Sequence, residues 1–176
     1  MSITVADLDA MSHAEAWGLL RECGGAPRWV EGMVARRPFG TEEKLRAAAD
    51  EEWALLGPAD WRAAFAHHPR IGARAPTAAQ GEQGRAWSAG EQSGVAAAAE
   101  SVRAELAAVN RLYEDRFGHI YIVCAAGRSA DELLRIAEGR LWNEHDRELE
   151  IAAEELRQIM QLRLAKLLAH DAGDPA

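Results

Sequence analysis

A chain of 176 residues with 20 basic and 28 acidic side chains carries a formal charge of −8 at pH 7. The length suits one domain with a sizeable core. The acidic balance disfavours nucleic acid and anionic membrane surfaces as main partners, since both select basic patches, but it leaves room for a small anionic ligand held by a few local cations.

Two cysteines, Cys23 and Cys124, form no CxxC or zinc pattern, so the expected setting is a reducing cytoplasm rather than a disulfide framework. Residues 1–10 lack the basic and apolar regions of a signal peptide. No apolar run reaches the ~18 residues of a membrane span. Residues 171–176 are rich in Gly, Asp and Pro and read as a frayed tail without a targeting tripeptide.

Taken in order, the chain predicts helix after helix. Ser12-His13-Ala14-Glu15 is a capping box opening a helix to about Glu22, which Gly24-Gly25 ends. Pro27 to Val34 is a short helix. Thr41 caps a helix over Glu42 to Leu56, with Leu45, Ala48, Ala49, Trp53 and Leu56 at helical spacing. Gly57-Pro58 breaks it, and Pro58 to Ala66 follows. His67-His68-Pro69-Arg70-Ile71-Gly72 comes next, where Pro69 pushes His68 out of helical geometry.

Ile71 to Ala86 has no clear period and predicts a surface loop, with one helical turn around Thr77 to Gly81. Ser88-x-x-Glu91 reads as another capping box, opening a long helix to Phe117 with Val95, Ala98, Ala99, Val102, Leu106, Val109, Leu112 and Tyr113 as its apolar stripe. Gly118 is its C-cap. Ile120 to Ala125 is the one β-like run, predicted as an extended segment packed among helices. Ser129-x-x-Glu132 caps a helix to Gly139 or Arg140. A final helix spans Glu144 to His170, with Leu149, Ala152, Ala153, Leu156, Ile159, Met160, Leu162, Leu164, Leu167 and Leu168 as apolar positions. The fold class is all-α, a single multi-helix domain over residues 1–176.

Taken singly, these features have plain structural readings. His68 alone is a helix-end histidine capping carbonyls. Ser88 and Glu91 need no active site to form a capping box, although a helix start also suits an anion or carbonyl. Arg163 alone is a solvated or salt-bridged helix residue, and Tyr121 to Ala125 alone is a core segment. Cys124 is a small core hydrophobe before it is a nucleophile. His13, His67, His145 and His170 read as surface residues. Trp29, Trp53, Trp61, Trp87 and Trp142 read as core or interface residues. No histidine pair has the spacing of a zinc site on a helix face.

Jointly, His68-Pro69 with Ile71-Gly72, Ser88-x-x-Glu91-Gln92, Tyr113-x-x-Arg116-Phe117-Gly118-x-x-Tyr121-Ile122-Val123-Cys124-Ala125 and Leu162-Arg163-Leu164 resemble the decarboxylases of 2-oxo-4-hydroxy-4-carboxy-5-ureidoimidazoline (OHCU), enzymes of urate breakdown. The resemblance runs from about Leu8 to Leu168. It implies an all-α homodimer that needs no metal or organic cofactor and yields (S)-allantoin and CO2. It also implies that His68 is the catalytic histidine, with Glu91 orienting its imidazole. Pro69, Ser88, Gln92, Tyr121, Ile122, Val123, Cys124 and Ala125 would contact the substrate. Arg163 would hold anionic or carbonyl oxygens in its planar fork. Arg70 and His119-Ile120 depart from the family pattern, and His119 adds a second imidazole near the pocket.

The family's substrate carries its carboxylate beside a ring C=N, so loss of CO2 pushes electrons into that bond without an added sink. The protein must twist the carboxylate from the ring plane, stabilise an enol-like product and deliver a proton to one face. Two other kinds of reading stay open. One is a related enzyme, acting on another ureido or imide acid or using Cys124 with His68 as a hydrolase. The other is an all-α interaction module without turnover.

Overall fold

The computed structural model describes residues 3–71, 80–96, 98 and 100–168. Among these residues there are ten helices: α1 (Val5–Ala10), α2 (His13–Gly24), α3 (Pro27–Ala35), α4 (Glu42–Ala54), α5 (Pro58–Phe65), α6 (Glu82–Glu91), α7 (Ser93–Ala96), α8 (Glu100–Phe117), α9 (Ala130–Arg140) and α10 (His145–Leu168). No described residue is in a β-strand, and the all-α class expected from composition holds. No described helix is long and apolar enough to cross a membrane.

Side-chain caps set several of these starts. The Ser12 hydroxyl accepts the Glu15 N–H at 3.3 Å while the Glu15 carboxylate accepts the Ser12 N–H at 3.0 Å. Ser129 and Glu132 repeat the exchange ahead of α9, and the Thr41 hydroxyl accepts the Lys44 N–H ahead of α4. Each cap is worth about 1 kcal/mol. Helix α1 was not anticipated, although Thr4-x-x-Asp7 carries the same signal and forms the same reciprocal cap.

The apolar side chains gather into two clusters. The larger is built on α2, α3, α4 and α10 around Leu20, Trp29, Met33, Leu45, Leu156 and Met160. The smaller lies between α8 and α9 around Leu106, Tyr113, Leu133 and Ala137. Residues 120–125 join them. Ile122 and Cys124 enter the first cluster, with Ile120 packed against it, while Tyr121, Val123 and Ala125 enter the second. That alternation is the period of an extended chain, here stitching two helical layers instead of pairing in a sheet.

Several expectations are corrected. The long helix from Ser88 to Phe117 is three pieces, and Ser88 starts none of them. Helix α6 opens at Glu82 with Gly81 as N-cap, so Ser88 and Glu91 lie in its C-terminal half. An S-x-x-E spacing serves a cap, but it also places two side chains on one helix face, and the second use holds here. The predicted loop therefore ends before Glu82. Its stretch 72–79, with most of the turn around Thr77 to Gly81, lies outside the described residues, as do His170 and the tail 171–176. Leu112 is exposed rather than core, Leu162 is partly so, and Trp142 is exposed, which leaves the interface half of its expectation. Buried Asn110 stands in the apolar face of α8 instead, and its amide donates to the Ile71 carbonyl at 2.9 Å.

Candidate active site

Helix α5 ends at Phe65, and a turn closes its last carbonyls. The His67 N–H donates to Ala64 and the His68 N–H to Phe65, each at 3.0 Å. Pro69 prevents further winding. The turn delivers His68 to a small pocket that opens to solvent. Every site residue singled out from the sequence lines it: His68, Pro69, Ser88, Glu91, Gln92, Tyr121, Ile122, Val123, Cys124, Ala125 and Arg163. They come from the turn after α5, the end of α6, the extended segment and the middle of α10.

Arg163 organises the floor. Its Nε and Nη2 donate to the two oxygens of Glu91 at 3.1 and 3.0 Å. Its Nη2 also donates to the Ser88 hydroxyl at 2.9 Å, and its Nη1 to the Glu22 carbonyl at 2.9 Å. Lys166, one helical turn on, reaches the same Glu91 at 3.2 Å. A guanidinium has five N–H donors, and these bonds use four of them. The planar fork expected to hold a ligand instead holds Glu91.

Glu91 is likewise not the partner of His68. Its carboxylate is occupied by Arg163 and Lys166, and the buried Nε2 of His68 has no hydrogen-bond partner among the described residues. Burial pushes the His68 imidazole well below its ordinary pKa, and the Arg163 and His67 charges act in the same direction. The imidazole is therefore neutral at pH 7, buried and free to take a proton. His67, expected on the surface, is 3% exposed, because the turn folds it back toward the end of α2. Its Nε2 lies 3.8 Å from the Glu22 carboxylate, and burial lowers its pKa too.

Two features escaped the sequence reading. Glu22 accepts the Gly81 N–H with both oxygens, at 3.0 and 3.1 Å, which ties the start of α6 to the end of α2. A Cβ on Gly84 would sit 2.0 Å from the same carboxylate, so a larger residue there would push the Glu22 side chain aside. The buried Gln80 amide donates to the Ser88 hydroxyl at 3.1 Å. Neither residue has a motif, and only the fold brings them near Ser88.

Cys124 lines the pocket, but burial raises its thiol pKa, the opposite of what an activated nucleophile needs. Cys23 is fully buried, with its thiol pushed up to about 12. His119 is absent from the pocket wall; it packs against Phe65 and Tyr113, with ring centroids 5.0 and 5.5 Å away. Among the described residues, no group of three His, Cys, Asp or Glu could hold a metal.

Known proteins resemble this chain. The model of the OHCU decarboxylase family matches residues 9–165. The chain is 33% identical over 139 residues to the 2-oxo-4-hydroxy-4-carboxy-5-ureidoimidazoline decarboxylase of Amia calva, covering 75% of each chain. It is 33% identical over 150 residues to the uric acid degradation bifunctional protein TTL of Arabidopsis thaliana, covering 85% of this chain and 46% of that one. The chain thus spans about half the length of the plant protein. A crystal structure of an OHCU decarboxylase in the presence of (S)-allantoin superposes with a TM-score of 0.74 and 31% identity, over 87% of this chain and 99% of that one.

Proposed function

The chain belongs to the OHCU decarboxylase family, and from that premise we propose that it converts OHCU to (S)-allantoin and CO2 in urate breakdown, without a metal or organic cofactor. One observation supports this most. A buried, neutral imidazole, whose Nε2 has no partner among the described residues, lines a small pocket together with a fixed Arg163–Glu91 pair.

The chemistry uses both parts. The bond from the ring carbon to the carboxylate breaks, CO2 leaves, the freed pair forms a C=C to the adjacent ring carbon, and the C=N pair moves onto the ring nitrogen, which takes a proton from solvent. The hydroxyl on the same carbon gives up its proton as the carbonyl forms, and the adjacent ring carbon gains one. A neutral His68 takes the hydroxyl proton and supplies the proton to one face, which makes a single enantiomer. The imidazolium formed in between has no carboxylate beside it, so it returns the proton readily. Arg163, Ser88 and Gln92 line the wall that the oxygens and amides of the ligand meet. Pro69 and Ile71 close the wall against water. The raised thiol pKa of Cys124 argues against the hydrolase alternative.

The same reading includes a homodimer in a reducing cytoplasm with a small molecule as its partner and no nucleic acid. The net charge of −8 and two buried free thiols support it. Sedimentation gives the oligomeric state directly.

The reaction is tested by making the labile substrate in place from urate, with urate oxidase and 5-hydroxyisourate hydrolase, and following optical rotation. The expected result is fast growth of (S)-allantoin rotation when the protein is added. An unchanged, slow and racemic background removes the proposal.

A further inference from the structure

Residues 120–125 are buried, yet they form no sheet and little internal hydrogen bonding. Two charged side chains from different helices hold them. The Arg140 Nη1 at the end of α9 donates to the Ile122 carbonyl at 2.7 Å. The Glu155 carboxylate on α10 accepts the Cys124 N–H at 2.7 Å. Each anchor is itself fixed. Arg140 donates from Nε to Glu148 at 2.7 Å, and Glu155 has the Arg128 guanidinium 3.6 Å away.

These bonds orient the residue between them. Both flanking peptides are trans, since Arg37–Pro38 is the one cis bond among the described residues. In a planar trans peptide the C=O and the next N–H point in opposite directions. With the Ile122 carbonyl turned to Arg140, the Val123 N–H points away from Arg140. With the Cys124 N–H turned to Glu155, the Val123 carbonyl points away from Glu155. Val123 lines the pocket, and its N–H and C=O make no hydrogen bond to a described residue. Buried backbone groups are almost always paired, yet Tyr121 also has an unpaired N–H and C=O among the described residues, so the segment as a whole offers backbone groups to a ligand, and Val123 is the residue whose orientation the two charged side chains fix.

We propose that Arg140 and Glu155 are positioning residues. They lock the two peptides around Val123 so that its N–H and C=O read a neighbouring acceptor and donor on the ligand, such as the two edges of a cyclic or open ureide. This deepens the decarboxylase reading and rests on it. The role needs Glu155 for its reach to the Cys124 N–H, not for its charge.

Glu155→Asp and Glu155→Gln separate the two. Aspartate keeps the charge and loses the reach by one methylene. Glutamine keeps the reach and an accepting oxygen. Turnover is measured by optical rotation in the coupled assay, and affinity by titrating (S)-allantoin against the Val123 and Cys124 amide signals. Glu155→Asp is expected to raise KM and weaken allantoin about tenfold, with kcat within about threefold. Glu155→Gln stays within about threefold of wild type on all three. The loss falls on KM because the Val123 contacts are made equally in ground and transition states. Wild-type turnover with Glu155→Asp unchanged overturns the clamp alone, as does a loss in Glu155→Gln that Glu155→Asp avoids. A wild-type protein without turnover overturns the reaction, and the clamp falls with it.

Discussion

Two buried arginine–glutamate pairs stand on either side of the extended segment, and they differ in what surrounds them. Around Arg140 and Glu148 the partners are all protein groups. Glu148 accepts from the Tyr113 hydroxyl and from Arg140 on one oxygen, and from Asn143 at 2.7 Å on the other. Arg140 also donates to Ile122 and, at 3.3 Å, to the Tyr113 hydroxyl. Around Arg163 and Glu91 the pair is equally well formed, but it lines a pocket together with an imidazole whose Nε2 has no partner among the described residues. A buried ion pair thus says little about function by itself. The unsatisfied neighbour distinguishes a site from a structural strut.

The sharpest way to break that distinction is to remove the neighbour. His68→Ala takes away the group that moves the proton and leaves both ion pairs intact. Turnover in the coupled assay is expected to fall by about 10²–10⁴-fold, the usual share of a general acid–base. A variant that keeps most of its activity would show that the unpartnered imidazole is incidental and that the pocket pair works alone.

The next largest effect separates the pairs by stability. Arg140→Met leaves Glu148, which is fully buried, without its cation. The expected loss is about 3–5 kcal/mol in urea unfolding. Arg163→Met leaves Glu91 with Lys166 and an opening to solvent, so it should lose less stability while losing far more activity. Equal losses from the two substitutions would erase the contrast. Arg140→Met with Glu148→Leu should recover part of the loss, since removing both charges also removes the orphan.

How much of this contrast the sequence displays follows from what repeats locally. Caps at Ser12, Thr41 and Ser129 are short-range bonds, so their helices are legible within a residue or two. The alternating run 120–125 is legible as extended because period two needs no tertiary information. The named site residues come from the joint motifs and the family they resemble, while Ile71 and Ile159, which also line the pocket, are not among them. The partners of the named residues were not legible. Glu91 was paired with His68 on type alone, whereas Arg163 reaches it from 72 residues away. Arg140, Glu148 and Tyr113 sit in ordinary amphipathic helices, and nothing in spacing separates a buried charge from a solvated one. Ser88 misled for the opposite reason. Its spacing to Glu91 is a genuine signal that two different structures use.

Acid stability sharpens the comparison by a smaller amount. His67 and His68 have folded pKa values below their unfolded value near 6.5. The unfolded chain therefore binds more protons as pH falls through that value. Stability is fully present above it and declines below, by up to about 1.4 kcal/mol per pH unit for each proton taken up. Urea midpoints measured from pH 8 to 5 should fall on the acid side, and His68→Asn should flatten the decline. An unaltered slope in that variant would mean that His68 is not held neutral by its pocket.

The smallest expected effect concerns Lys166, the half-exposed member of the pocket group. It reaches Glu91 at 3.2 Å, but Arg163 already satisfies both carboxylate oxygens. A partly solvated ion pair contributes about 0.2–1 kcal/mol, so Lys166→Met should shift the urea midpoint barely beyond error. Arg163 holds Glu91 in place without it, which predicts a kcat within about twofold of wild type. A large loss of kcat with unchanged stability would instead assign Lys166 a role toward the ligand. The pocket would then hold two cations rather than one that is nearly saturated, and Arg163 would no longer be its main point of contact for an anion.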